Sequence, residues 1–519
     1  MSGRLRTTYT MSARRTHGEG TRHPRLVMHT DPVAPRSAED IVSWDADTDV
    51  LVVGGGCAGV CAALEALSRG ARVLLLERAG EAGGASAMSG GLLYLGAGTA
   101  VQRDCGFEDT PEEMYKFLEA AMGPEPDVDR IATYSEGSVA HFDWLVGHGV
   151  PFKHSFWDRP AWTPPTDDGL MWVGENSHPF SELARPVPRG HRPHGTGRTG
   201  GVLMDALSRA MRTAGAEVRF NSRAQQLVTA ADGTVIGVVA RHHGEEFTIR
   251  ARGGVVLAAG GFVFNDDMLQ AHAPHLINHT KLGTDYDDGR AIRMAEAIGA
   301  QTARMDAGEA SINFSPELMA KSVMVNVTGQ RFINEDTYGG RIGQQVLFHQ
   351  GGRAYLVFDE EAYESVPEEL RHGRFPQWVC PTLNELEDEI GLPQRSLQAT
   401  VEVFNHHAAS GEDPLFRKNP RWLRPLCSPF AAMDVRARRA DGPPDTADRG
   451  TGFRVFTLGG LRTTVDGAVI HLDSTPIPGL FAAGRTACGL SAWGYISGTS
   501  LGDGTFFGRR AGAAAAARL

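Results

Sequence analysis

The hydrophobic and polar positions change period along this chain, and the changes mark its elements. Residues 48–53 read as a short strand, unbroken in apolar character from Val50 to Val53, 60–69 show helical spacing, and 71–76 read as a second strand, apolar from Val73 to Leu76 and ending at Glu77. Unbroken runs predict strands buried on both faces, the environment of a parallel sheet. Helical spacing returns between residues 110 and 150, where Pro111, Glu112 and Glu113 open the pattern and Phe117, Leu118, Phe142 and Leu145 supply its apolar face. A further helix is predicted over 201–214. From 218 to 250 the period becomes two, predicting three short strands with a turn at Ala231, Asp232 and Gly233, and 254–262 reads as a separate buried strand ending in glycines. Asp287, Asp288 and Gly289 open a helix reaching Ala300, with Asp288 as its predicted N-cap. Near the end, 478–484 is an apolar strand closed by glycine, and 491–504 is a glycine-rich turn entering a small-residue helix.

Two stretches lack any such period. Residues 1–45 mix Arg, Thr, His, Pro and Gly, and predict a disordered N-terminal extension. Residues 434–451 are charged, with Pro and Gly, and read as a mobile linker. The texture between 266 and 451 is more polar, with mixed helix and strand signals. The fold class is therefore α/β: a discontinuous, Rossmann-like dinucleotide-binding domain over 46–265 and 452–519, interrupted by an inserted α+β cap over 266–451. No internal repeat is visible.

Composition narrows the function. Glycine is abundant, 63 of 519 residues, without a collagen period, and it clusters at strand-to-helix turns as in nucleotide-binding enzymes. The net charge of −11, with no aromatic-interleaved basic run, argues against nucleic acid as a partner. Six cysteines include no C-x-x-C pair, so they read as small hydrophobes in a reduced cytoplasm, and no metal site is expected. Arg189, His191, Arg192 and His194 resemble a metal cluster only superficially, because no carboxylate or cysteine stands at ligand spacing. No apolar run is long enough to span a membrane.

The chemistry starts at residues 54–59, Gly-Gly-Gly-Cys-Ala-Gly, which set G-x-G-x-x-G between a predicted strand and helix with an acid, Glu77, closing the next strand. Glycines there permit a tight turn and the approach of a pyrophosphate to a helix N-terminus, and Glu77 would accept hydrogen bonds from ribose hydroxyls. Gly54, Gly56, Cys57, Ala58, Gly59 and Glu77 are thus candidate cofactor residues. After the second strand comes Gly83-Gly84-Ala85-Ser86, continuing through Gly91, where a typical NAD domain has a helix. A long, nearly uncharged loop of this kind suits a flat flavin and its diphosphate, which points to FAD, held non-covalently, through Gly84, Ala85, Ser86 and Gly91.

With Ala259, Gly260, Asp288 and Gly484 in that order further along, the chain resembles the FAD-dependent fumarate reductase/succinate dehydrogenase flavoprotein superfamily over about residues 46–519. Within it, Tyr94 to Thr99 and Tyr495-Ile496-Ser497-Gly498-Thr499-Ser500-Leu501 are most similar to 3-ketosteroid dehydrogenases of the Δ4-(5α) type. The Δ1 type has a proline-rich turn where this chain has residues 495–499. The resemblance implies FAD contacts at Ala259, Gly260, Asp288, Gly484, Ser500 and Leu501, and desaturation of a cyclic ketone next to its carbonyl.

That chemistry needs an electrophile at the carbonyl oxygen, a base for the α-proton and an acceptor for the β-hydride, which flavin N5 supplies. Tyr495 and the Gly498 amide are the candidate carbonyl donors. Ser497 is the candidate for the α-proton, with Tyr338 from the cap as its relay. A tyrosine near its reference pKa of about 10 predicts activity at alkaline pH. An external electron acceptor is the implied partner. Two other readings stand beside this one. A fumarate- or urocanate-type ene-reductase would use an arginine acid, for which Arg192, Arg198 and Arg341 are available. A non-catalytic flavin-binding module would need no paired hydroxyls.

Overall fold

The computed structural model describes residues 33–436 and 451–519. The expected linker over 434–451 lies mostly outside the described residues, as does the extension up to residue 32. From Val33 the chain is packed rather than free: Arg36–Ser37 adds a short parallel strand to the edge strand Ser222–Thr229.

A nine-stranded sheet organises the molecule. Ala46–Val53 pairs in parallel with Val73–Leu76 on one side and with Glu245–Leu257 on the other, and Glu217–Arg219 extends the parallel set beyond Val73–Leu76. Val50, Leu51 and Val52 are fully buried, as the unbroken apolar run requires.

Two sequence expectations fail here, for one reason. The alternating strand and the buried strand after it are a single strand, Glu245–Leu257. Its first half pairs antiparallel with Val235–His242, and its second half pairs in parallel with Pro476–Ala482. The register shifts between Ala251 and Gly254, where Gly253 and Gly254 resemble a strand end in sequence. They serve close approach instead: a Cβ on Gly253 would lie 2.5 Å from the Ala515 carbonyl oxygen, and one on Gly254 2.8 Å from that of Gly479. The expected first strand of the meander, Glu217–Arg219, accordingly belongs to the parallel set.

Two helices cover one face of this sheet and meet along glycines. The helix Cys57–Ser68 follows the first strand, and Thr499–Ala516 closes the chain against it. Gly504, Gly508 and Gly512 fall four apart and so form one stripe. Added Cβ atoms there would lie 2.8 Å from Cys57 Sγ, 2.3 Å from the Ala58 oxygen and 2.1 Å from the Ala62 oxygen. Backbone rests on backbone. Gly508→Val is expected to cost about 3 kcal/mol or more, since neither helix can shift without leaving the sheet. The check is the urea midpoint of the purified protein, which should fall relative to wild type.

The cap adds smaller sheets. Val323–Asn326, Ala354–Asp359, Phe430–Asp434 and Trp378–Cys380 form an antiparallel four-stranded sheet. Gly308–Ile312 pairs with Thr451–Thr457, which also pairs with His279–Lys281. The strand beginning at residue 451 therefore continues the cap's pairing, and the chain re-enters the main sheet only at Ala468–Ile470 and Pro476–Ala482. No helix among the described residues is long and apolar enough to cross a membrane.

Candidate active site

One cavity of about 890 Å³ runs from the glycine turn after the first strand to the underside of the cap. Gly54, Gly56, Cys57, Ala58, Glu77, Gly84, Ala85, Ser86, Gly91, Ala259, Gly260, Asp288, Gly484, Ser500 and Leu501 all line it, and so do Tyr338, Tyr495, Ser497 and Gly498. Gly59 is the exception. Its Cβ would lie 1.9 Å from the Gly54 oxygen, so this glycine lets the helix seat on the strand and does not face the cavity.

The nucleotide end is built from backbone. Gly54 has φ +109°, and its Cβ would strike the Ala258 oxygen at 2.3 Å. Glu77 accepts from the Gly55 amide at 2.6 Å and the Ala79 amide at 2.7 Å, which leaves a lone pair on each oxygen for hydroxyls in the cavity. The predicted loop at 83–91 contains a single helical turn, Gly84–Met88, started by two glycines at positive φ. Ser86 Oγ accepts the Cys57 amide at 3.2 Å and ties that turn to the first helix. At Gly84, φ is +49° and an added Cβ would meet nothing within 4 Å, because the position opens onto the cavity. A wall that is bare backbone over a long, mostly apolar slot fits an extended cofactor with a diphosphate and a flat ring system.

Asp288 differs from its expected role. Gly289, in the left-handed region at φ +72°, takes the N-cap position of the helix Arg290–Glu296, and Asp288 accepts the Arg290 amide at 3.0 Å. Its other oxygen pairs with Arg78 at 2.7 Å and Arg223 at 2.9 Å. The carboxylate thus fastens the segment after residue 265 to the sheet at the cavity's edge.

The opposite end holds the hydroxyls. Gly498, with φ +91°, stands at the N-cap of the helix Thr499–Ala516 and offers no capping side chain. The Thr499 amide and hydroxyl both go to the Ile496 oxygen, at 3.1 and 2.7 Å, and Ser500 and Leu501 follow on the cavity wall. The Ser500 hydroxyl and amide lie beside the Tyr495 phenol and partly oppose the effect of its burial. A Cβ on Gly498 would lie 2.6 Å from the Tyr94 amide nitrogen, so glycine here lets the turn press on the strand Leu93–Tyr94 while Gly498 also lines the cavity. Ser500 is therefore the residue that sequence reading undervalued, and only the turn's geometry reveals it.

Tyr338 ends the turn before the helix Gly339–Gln344, and its phenol lies beside the Ser497 side chain on the cavity wall. The two tyrosine rings stand 6.4 Å apart, with Phe456 edge-on to Tyr495 at 5.2 Å and Trp162 edge-on to Tyr338 at 6.0 Å. Burial pushes the Tyr495 phenol up to about 12 and the Tyr338 phenol well above 10. Neither is a standing tyrosinate, which corrects the expectation of a tyrosine titrating near its reference value. Trp493 is 38% exposed and does not line the cavity.

Of the arginines a reductase would need, Arg192 is buried and donates to the oxygens of Thr166, Gly195 and Gly197 at 2.7, 2.8 and 2.9 Å. Arg341 lies over the Phe180 ring at 4.9 Å and is outside the lining, whereas Arg198 is part of it. His191 is buried between the Thr99 hydroxyl and the Arg189 oxygen, a structural position.

Residues 49–501 match the family model described as FAD binding domain. Among solved structures, the chain is similar to 3-ketosteroid Δ4-(5α)-dehydrogenase from Rhodococcus jostii RHA1 in complex with 4-androstene-3,17-dione. The identity is 48% and the TM-score 0.88, covering 93% of this chain and 99% of that one. Among curated proteins, 3-oxo-5-alpha-steroid 4-dehydrogenase of Comamonas testosteroni is 26% identical, over 89% of this chain and 97% of its own length. Urocanate reductase of Eggerthella lenta is 28% identical, over 94% and 77%.

Proposed function

Since the chain belongs to the FAD binding domain family and is an FAD-dependent oxidoreductase, we propose that it desaturates a cyclic 3-ketone of steroid shape between the α- and β-carbons. The observation that carries this reading is the grouping of four hydroxyl residues on one cavity wall, Tyr495 beside Ser500 and Tyr338 beside Ser497. The 48% identity to a Δ4-(5α) enzyme favours the 4,5-bond as the site of reaction.

Residues 54–58, Glu77, Gly84, Ala85, Ser86, Gly260 and Gly484 would hold FAD, which when bound accepts the β-hydrogen as hydride. Tyr495 stays protonated at working pH and donates to the ketone oxygen together with the Gly498 amide, where negative charge grows as the α-proton leaves. Ser497 takes that proton and passes its own to Tyr338. The helix Thr499–Ala516 adds the positive end of its dipole to the same region. Phe456 and Trp162 give the substrate apolar walls. An external electron acceptor completes each cycle.

Anaerobic mixing with a saturated 5α-3-ketosteroid should bleach the flavin absorption and yield the 4-ene ketone. Bleaching by 3-ketones that lack a 4,5-hydrogen pair would move the reaction to another bond. Turnover of fumarate or urocanate with a reduced viologen, and none with ketones, would replace this reading with the reductase one.

A further inference from the structure

Glu309 has no part in the chemistry so far, yet it lies within the site. It sits on the strand Gly308–Ile312, is 1% exposed and lines the same cavity as the two tyrosines. Neither carboxyl oxygen has a hydrogen-bonding partner among the described residues. Burying such a group without partners is costly, and a strand position open to any apolar residue gives no reason to keep it.

Its surroundings point to one neighbour. Glu309 is directly opposite Phe456 across the strand pair, so both side chains leave the sheet on the same face, and Phe456 packs against Tyr495. A Cβ added to Gly340 would come within 2.4 Å of both Glu309 Oε1 and Tyr338 Cε1. Carboxyl and phenol therefore flank a single spot that only glycine leaves open. The titratable groups facing Glu309 are Tyr338, from the turn before the helix Gly339–Gln344, and Tyr495, from the closing turn. Gly340 and Phe456 face it from the helix and the adjacent strand, and Arg454 lies two positions from Phe456 on the same strand face and lines the same cavity. Among the described residues no arginine or lysine lowers the pKa of the carboxyl.

A proton handed to Ser497 and on to Tyr338 needs a further acceptor, because Tyr338 cannot stand ionised. We propose that Glu309 is that acceptor, taking the phenolic proton of Tyr338 as Tyr338 receives the proton of Ser497. The proposal rests on the desaturation reading. The substrate α-C–H bond breaks and a Ser497 O–H bond forms, Ser497 gives its own proton to Tyr338, and the Tyr338 proton forms the Glu309 carboxylic acid. The pair left on the α-carbon becomes the new double bond as the β-hydrogen departs as hydride to the flavin. Glu309 touches no reacting atom, so it is a positioning residue that acts through Tyr338.

Burial pushes the Glu309 carboxyl from 4.5 up to about 8, with the nearby Ala310 amide, outside hydrogen-bond geometry, opposing it only in part. The accepting carboxylate is then a minor form at neutrality and the major form above about pH 8, so α-proton removal should quicken with pH through that value. Stability moves the other way. The native state binds the proton more tightly than the unfolded one, so this group's contribution is complete below about 4.5 and is lost as pH rises through about 8.

The test compares wild type, Glu309→Gln and Glu309→Asp at equal flavin content. Anaerobic flavin reduction by a saturated 5α-3-ketosteroid is followed across pH, and infrared difference spectra of each protein are recorded over the same range. Wild type should show a rate step near pH 8, which Glu309→Asp retains. Glu309→Gln should lose the step and run about 10²-fold slower above it, with product affinity changed less than about threefold, and it should be more stable than wild type there. A carboxyl band titrating near pH 8 should vanish in Glu309→Gln. A wild-type pH profile in Glu309→Gln, or a titrating band that survives the substitution, overturns the proposal. Failure of wild type to reduce its flavin with any ketone would instead sink the desaturation reading, and the infrared result would still decide whether Glu309 holds the proton.

Discussion

Tyr495→Phe should lower the rate of flavin reduction by about 10²–10³-fold while leaving the protein yellow. The phenol is buried, its acidity is suppressed to a pKa of about 12, and its hydroxyl stands beside the Ser500 hydroxyl and amide. A neutral donor held in place costs little reorganisation when charge develops on the ketone oxygen, and removing one such donor has that magnitude of effect. The ring would remain against Phe456 and Tyr338, so packing and cofactor binding should persist. Rapid-mixing kinetics and the flavin-to-protein absorbance ratio measure both halves. Loss of flavin together with activity would show that the residue is structural.

Gly84→Val is expected to give a colourless protein. The position has φ +49°, a left-handed conformation that a β-branched residue adopts only with strain. The added side chain would also project into the cavity where no protein atom lies within 4 Å. Both effects act on the turn that holds the cofactor, and neither touches the core of the sheet. Flavin content after purification should fall by at least about tenfold, a loss of ~1.4 kcal/mol or more in binding. Circular dichroism should remain that of the folded protein, and a fully loaded variant would remove Gly84 from the cofactor wall.

The parts of the site legible in sequence were those specified by local geometry. Gly54, Gly56 and Glu77 announce a strand, a turn and a second strand, and the structure lines them along the cavity. Tyr495 and Ser497 stand in a short turn whose neighbours are glycines, and Tyr338 was reached as the relay that a weakly basic serine needs. What remained hidden depends on distant partners. Nothing around Glu309 in sequence signals an unpaired carboxyl, because that condition is set by Gly340, Tyr338 and Phe456. The same holds for Ser500, whose place beside Tyr495 is set only once the helix start is placed. Gly253 and Gly254 misled for the converse reason: they resemble a strand end but are thin places where other backbone crosses.

The glycine stripe of the closing helix has a consequence for how the molecule is made. The helix Cys57–Ser68 is synthesised more than 400 residues before the surface it packs on, Gly504, Gly508 and Gly512. The strand Pro476–Ala482, which flanks Glu245–Leu257, also arrives late. On the ribosome, the nascent chain therefore displays an apolar helix and a sheet edge through most of translation, a state prone to association with other chains. A ribosome stalled before residue 484 should hold a chain that binds no flavin, and chaperone demand should peak just before the final forty residues emerge.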